Sequence, residues 1–397
     1  MVESTLIVLL VILAAGLVVP ELFKRLRVPF VTSIILVGSI LGPHGLNYVR
    51  HDEVIGFFGF LGMTFLMLMA GLETDLSKLK RMRYRIFLLA LLNGLVPFLV
   101  GFFITRAFGY PLMVSIIMGI IFISSSVAII YPLLKSAGLF KRNVGQLILA
   151  AILIADISSL VLLSVTLQSI APITKLPLPF YFLTLALSIL VLYLLLPRLT
   201  NYVFKEGFSE ATYEKQFRSV MVILIAVLVL FSILGVHPIL AAFIVGLTLS
   251  EVVRSERLYS KFYTIGYGIF VPIFFFIVGM EMDLSIFRTF NISDVIIIAI
   301  VLGLISSKFL SGYIGGRLVR LSGHDSAIFG TASIIQLTTT LAVVYVASSL
   351  ELLDSTLVTA IILLSIITTI FGPVLLRLLI GSPEIPKKEK KKKNRHL

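Results

Sequence analysis

The chain contains no cysteine, which removes disulfides, thiolate chemistry and cysteine-ligated metals from consideration. Histidine adds little: His44, His51, His237, His324 and His396 are scattered, without the HExxH or related spacing of a metal site. Charge is scarce as well. Only 13% of the 397 residues are Asp, Glu, Lys or Arg, against about a quarter in a soluble domain. What fills their place is apolar: 58% of the chain is hydrophobic, gathered into long blocks between short polar loops. A block of about 18 or more apolar residues is long enough to cross a bilayer as a helix. These blocks are too long and too uniform for the alternating strands of a membrane barrel. No water-soluble fold has room to bury so many of them. The chain therefore reads as an all-α polytopic membrane protein.

The net charge is +13, but the basic residues sit in loops between blocks and in one tail, so a nucleic-acid partner is excluded. In a membrane protein that distribution sets orientation and draws anionic lipid. Thirteen spans are expected, near 5–22, 29–46, 54–73, 86–105, 111–134, 144–168, 179–197, 217–234, 237–252, 261–280, 292–313, 326–348 and 355–380. With alternating sides, 28 of the 33 Lys and Arg fall on one side and 4 on the other, leaving Lys308 inside a span. The richer side is cytoplasmic by the positive-inside rule. The expectation is a multi-pass protein of the cell membrane with its N-terminus outside and its C-terminus inside. The first block carries Glu3 ahead of it and Lys24, Arg25 and Arg27 behind it, the flanks of an uncleaved span rather than a signal peptide. The polybasic tail 381–397 reads as a solvated segment that attracts anionic headgroups.

An internal repeat is legible. LMAGLETDLSKL (68–79) resembles FIVGMEMDLSIF (276–287): Gly71, Glu73, Asp75, Leu76 and Ser77 recur as Gly279, Glu281, Asp283, Leu284 and Ser285. The offset is 208, and it also relates Val28 and Gly38 to Val236 and Gly246. Spans 2 and 3 thus match spans 9 and 10. An offset of seven spans is odd, so the halves insert in opposite orientation, as in secondary transporters. The expected division is a first repeat over 1–178, a linking span and loop over 179–216, a second repeat over 217–380, and the tail.

Two charges lie within spans: Asp156 near the middle of span 6 and Lys308 in span 11. A charge at the bilayer centre costs at least about 2.5–3.5 kcal/mol on insertion scales, and such residues normally face a cavity, pair, or carry ions and protons. One carboxylate in a dry site cannot hold two cationic ligands at once, so competition between a proton and a metal cation at Asp156 gives obligatory exchange. The structural alternative is a salt bridge between Asp156 and Lys308 that only locks the bundle. Span 5 carries Ser124, Ser125 and Ser126 at depth, followed by Pro132, which weakens the helix. Its counterpart, span 12, carries Gln336, Thr338, Thr339 and Thr340. Such hydroxyls often bond only their own backbone, but their paired placement in both halves points to two discontinuous helices that cross at the midplane and line the site.

The segments RVPFVTSIILVGSILGP, LGMTFLMLMAGLETDL, ISSSVAIIYPLLKSAG, ILIADISS, FVPIFFFIVGMEMDL and SSKFLSGYIGGRL resemble, in order and over most of the chain, the monovalent cation:proton antiporter superfamily, in particular the branch of bacterial sodium/proton exchangers and potassium efflux proteins. The resemblance implies thirteen helices split into a dimerisation domain and a mobile core, a homodimer, and elevator-like alternating access. It implies that Asp156, with Ser125 and Ser126, binds the cation and the proton. It matches Lys308 to a membrane lysine that pairs with an acidic residue or carries a proton. Ala155 stands where the superfamily's pattern has Asp, Asn or Gln, so a second carboxylate or an amide is missing there. The transported ions are sodium, lithium or potassium against protons, sodium foremost, and no cofactor is required. A potassium/proton antiporter or potassium efflux protein with a separate regulatory subunit, a channel on the same scaffold, and a non-transporting cation sensor are the alternatives. An enzyme is not expected: an intramembrane aspartyl protease needs two deep carboxylates, and a serine protease needs a histidine at depth.

Overall fold

The computed structural model describes residues 2–24, 30–50, 53–72, 83–136, 139, 143–170, 177–203, 210–233, 238–250, 256–283 and 295–380. The first half forms α1 (Val2–Lys24), α2 (Phe30–Leu41), α3 (Glu53–Leu72), α4 (Arg83–Ala107), α5 (Leu112–Ile123), α6 (Val127–Ser136), α7 (Asn143–Ile170) and α8 (Leu178–Val203). The second forms α9 (Glu210–Ile233), α10 (Pro238–Leu249), α11 (Glu256–Ile265), α12 (Val271–Met280), α13 (Val295–Leu318), α14 (Gly323–Ser333), α15 (Thr338–Ser349) and α16 (Ser355–Ile380). A π-helical turn over Gly266–Phe270 joins α11 to α12, just before Pro272, whose missing N–H disturbs the helical ladder.

Counting α5–α6, α11–α12 and α14–α15 as single interrupted rods, thirteen rods stand where thirteen spans are expected. Eight rods are long and apolar enough to cross a membrane by length and composition. Large apolar side chains on the outside of the bundle, among them Leu17, Phe57, Phe103, Val222, Ile233 and Leu302, are exposed, as a lipid-facing surface requires. The chain is a multi-pass membrane protein. Rod ends depart from the expected bounds where hydropathy and helix formation part company. α2 stops at Leu41, ahead of Gly42 and Pro43, while α9 starts at Glu210 and α13 runs on to Leu318, both through polar residues.

The glycines of the repeat are explained by packing. α2 lies against α12 and α3 against α10. A Cβ on Gly38 would overlap Phe276 O, and one on Gly246 would overlap Leu68 O; a Cβ on Gly279 would overlap Ile35 O, and one on Gly71 would overlap Phe243 O. Every residue in these contacts has its counterpart 208 positions away. The same close backbone approach is thus made twice, once with each half supplying the glycine. Glu73, Asp75, Leu76 and Ser77, the counterparts Leu284 and Ser285, and the basic tail lie outside the described residues.

Around this scaffold, α4, α5, α7, α13 and α14 pack against one another, with α16 alongside. Polar bridges span the two groups. Thr32 Oγ1 and Thr369 Oγ1 are 3.2 Å apart, and Tyr345 donates to Gly56 O at 3.3 Å. Ser348 Oγ donates to Glu281 Oε2 at 3.2 Å, and the Asp283 N–H donates to Thr359 Oγ1 at 2.9 Å. Hydroxyls at exposed positions of α7 behave differently. Ser158, Thr166 and Ser169 donate to carbonyls four residues back in their own helix, which satisfies them without a partner helix.

Candidate functional site

The site is made by two interruptions. α5 ends at Ile123, and Ser124 turns to an extended conformation (φ −67°, ψ 165°) before α6 starts at Val127. Serines favour such a break because their hydroxyls compete with the helical ladder for backbone groups. The second break follows α14, where Leu337 (φ −156°, ψ −81°) precedes α15. Backbone freed in a membrane must find partners inside the protein, and here each break supplies the other. The Ser126 N–H donates to Ile335 O at 2.7 Å, Ser125 Oγ donates to Ser333 O at 2.8 Å, and Gln336 Nε2 donates to Ser124 O at 2.5 Å. Ser124 Oγ lies 2.7 Å from Thr340 Oγ1 and 3.2 Å from Gln336 Oε1; Thr340 Oγ1 also donates to Gln336 Oε1. Thr368 Oγ1 of α16 accepts from the Gln336 N–H at 3.1 Å. Both broken rods are therefore discontinuous, and they cross at this knot.

Asp156, on α7, is 3% exposed. Its Oδ1 accepts from the Ser125 N–H at 2.9 Å, and its Oδ2 accepts from Thr339 Oγ1 at 3.4 Å. Ser125 leads into α6 and Thr339 lies in the first turn of α15, so the carboxylate meets the N-terminal ends of two half-helices, where partial positive charge accumulates. Lys308, on α13, has no exposed surface. Its Nζ donates to Ile123 O at 2.5 Å, the C-terminal end of α5, and to Asn93 O at 3.1 Å, Ser125 Oγ at 3.2 Å and Asn93 Oδ1 at 3.4 Å. Each charge thus faces the helix ends of opposite sign.

The structure brings Asp156, Lys308, Ser125 and Thr339 together but forms no direct Asp156–Lys308 ion pair: among the described residues no salt bridge within 4.0 Å joins them. Ser125 stands between, with its N–H on the carboxylate and its Oγ on the ammonium. The locking salt bridge named as the alternative is corrected accordingly. Ser126 is buried, and its Oγ has no hydrogen-bond partner. Ser124, Gln336 and Thr340 form the crossing knot rather than touching the carboxylate. Thr338 is buried at the first position of α15, beside the residue that makes the contact. Ala155, on α7 beside the carboxylate, is 2% exposed and adds no polar atom.

Sequence reasoning passed over Asn93, which is 1% exposed on α4. Its Nδ2 lies 3.1 Å from Lys308 O, 3.2 Å from Ser311 Oγ and 3.1 Å from Ser333 Oγ. An amide in the middle of an apolar block, four residues ahead of Pro97, was the available signal.

A buried carboxylate and a buried ammonium at the crossing of two broken helices, in a two-fold repeated helical bundle, define an ion-coupled membrane transporter rather than an enzyme. Comparison with known proteins gives the family. The sodium/hydrogen exchanger transmembrane family matches residues 7–380. The chain is 32% identical over 380 residues to "Probable Na(+)/H(+) antiporter 3" of Methanocaldococcus jannaschii, covering 94% of this chain and 96% of that one. It is 27% identical over 376 residues to "Na(+)/H(+) antiporter" of Enterococcus hirae, covering 93% and 96%. The solved structure of the sodium proton antiporter MjNhaP1 from Methanocaldococcus jannaschii superposes with a TM-score of 0.73 at 20% identity, over 96% of this chain and all of that one. The chain belongs to the sodium/hydrogen exchanger family, whose members are transporters.

Proposed function

We propose that the protein exchanges a monovalent cation, sodium foremost, for protons by alternating access, and that the two ions compete for Asp156. The observation that carries this reading is a lone buried carboxylate with only two donors, one of them 3.4 Å away. A proton satisfies it in one state. In the other, a hard monovalent cation takes that place among the carboxylate oxygens, Thr339 Oγ1 and the unpartnered Ser126 Oγ, since oxygen donors suit such ions. The ammonium of Lys308 keeps the buried site near neutrality while Ser125 holds it off the carboxylate. The names of the two relatives above support sodium as the cation.

The working unit is a homodimer in the cell membrane, with its N-terminus outside and its basic tail against anionic headgroups at the cytoplasmic face. The scaffold of α1–α3 and α9–α12 stays fixed while the group carrying α4–α7 and α13–α16 moves the site across the membrane. The polar bridges at Glu281–Ser348 and Asp283–Thr359 lie at the predicted outer end and hold that side closed.

The test is transport in proteoliposomes loaded acidic with a trapped pH dye. Sodium, lithium or potassium is added outside in turn, with Asp156→Asn run beside the parent. Cation-driven alkalinisation of the lumen that vanishes in Asp156→Asn is the expected result, and the size of the responses ranks the cations. Silence toward every cation between pH 6 and 9 sinks the reading.

A further inference from the structure

We infer that Asn93, with Pro97 one turn beyond it, is a positioning residue of the cation site: it holds the Lys308 ammonium against the end of α5 and away from Asp156. The reading of Asp156 as the exchange carboxylate underlies this inference.

The ammonium is surrounded by four oxygens, all from uncharged groups: Ile123 O, Asn93 O, Asn93 Oδ1 and Ser125 Oγ. Two of them are backbone carbonyls, which inside a helix are normally taken by the N–H four residues on. Both have been released. Ile123 is the last residue of α5, and the chain leaves the helix at Ser124. Asn93 lies mid-helix in α4, but the residue four on is Pro97, which has no N–H to give. A proline on one helix and a break in another thus leave two carbonyls for one ammonium.

The Asn93 side chain then fixes both ends of Lys308. Its Oδ1 faces the ammonium while its Nδ2 faces the Lys308 carbonyl, with Ser311 Oγ and Ser333 Oγ also in range. Ser333 ends α14, immediately before the second break, so the same amide ties the lysine to the crossing. Small residues make room for it: a Cβ on Gly312 would come 3.2 Å from Asn93 Nδ2 and 2.8 Å from Gly330 Cα. Without this clamp the nearest attraction for the ammonium is the Asp156 carboxylate across Ser125. A lysine that swings there competes with the transported cation for the same oxygens.

The test is equilibrium binding of radioactive sodium to the purified full-length protein in parent, Asn93→Ala, Lys308→Gln, the double variant, Pro97→Ala and Asp156→Asn forms. Binding is read instead of transport, so turnover through Lys308 is not needed. Removing one hydrogen bond to a charged group corresponds to about a tenfold rise in the sodium dissociation constant for Asn93→Ala. In the Lys308→Gln background the same substitution is expected to change nothing, because no ammonium is left to position. Pro97→Ala leaves every side chain around the lysine in place but gives Asn93 O a competing donor, and a severalfold rise is expected there too. An unchanged constant in both Asn93→Ala and Pro97→Ala overturns the inference, as does an equal rise with and without Lys308, the mark of a purely structural asparagine. Binding by the parent that survives Asp156→Asn overturns the underlying reading of Asp156 instead.

Discussion

Replacing Thr339 by valine changes little in shape, because a methyl takes the place of a hydroxyl, but it strips one oxygen from the side of the Asp156 carboxylate. Thr339 is 3% exposed, so no water stands ready to replace that oxygen. A well-formed hydrogen bond to a charged group contributes about 1.5–3 kcal/mol. At 3.4 Å this one is at the outer edge of hydrogen-bonding distance, so about 1 kcal/mol is the better figure, or roughly a fivefold change in an equilibrium constant. The direction is fixed by the two things lost: a donor to the ionised carboxylate and a ligand to the cation that replaces the proton. Both losses weaken cation binding. In proteoliposomes, the sodium concentration for half-maximal dye response is therefore expected to rise about fivefold in Thr339→Val, with Thr339→Ser, which keeps the oxygen, close to the parent. A valine variant within twofold of the parent, or a serine variant as impaired as the valine one, refutes the role given to that oxygen.

Other consequences follow from the same structure. Gln336→Leu leaves Ser124 O without its side-chain donor at the crossing; a loss of roughly 1–3 kcal/mol is expected, read as a lower unfolding midpoint in detergent, and an unchanged midpoint contradicts the knot. Gly38→Ala and Gly246→Ala each drive a methyl into a backbone carbonyl that cannot step aside, so each should cost about 2 kcal/mol or more; a harmless substitution at either position contradicts the two-fold packing. At the turn between α4 and α5, Tyr110 donates to Asp354 Oδ2 at 2.8 Å, and burial together with that carboxylate raises the phenol above its usual value. The neutral phenol stabilises the fold fully below about pH 10, the unfolded value, and the contribution is lost as the pH rises through the raised folded value. Tyr110→Phe should therefore be less stable at pH 7 and lose less on going above pH 10, as measured by thermal unfolding across that range; parallel curves for parent and variant refute the linkage.

The spans were legible because a membrane helix announces itself by length and hydropathy alone. The repeat was legible because Gly38, Gly71, Gly246 and Gly279 sit where backbones touch, so the same small residue recurs at the same place in both halves. Asp156 and Lys308 stood out as charges in apolar blocks, where each carries a solvation cost that demands a partner. Asn93 did not stand out, since one neutral amide barely alters the hydropathy of α4, and its partners Lys308, Ser311 and Ser333 lie more than 200 residues along the chain. The place of Ser125 between the two charges was equally out of reach. The run of three serines marks a break, but which hydroxyl faces Lys308 and which backbone N–H faces Asp156 depends on how α5, α7 and α13 pack. The second break was anticipated around Gln336 and the threonines, yet Thr338, Thr339 and Thr340 turn out to open α15, and only Thr339 reaches the carboxylate.

Competition at a single carboxylate is tested most directly by measuring proton release when sodium is added to the purified protein in weakly buffered solution. The account predicts a burst of protons that saturates with the same sodium dependence as binding, approaches one proton per sodium where Asp156 starts protonated, and is absent in Asp156→Asn. Sodium binding with no proton release at any pH, or release that persists in Asp156→Asn, contradicts it.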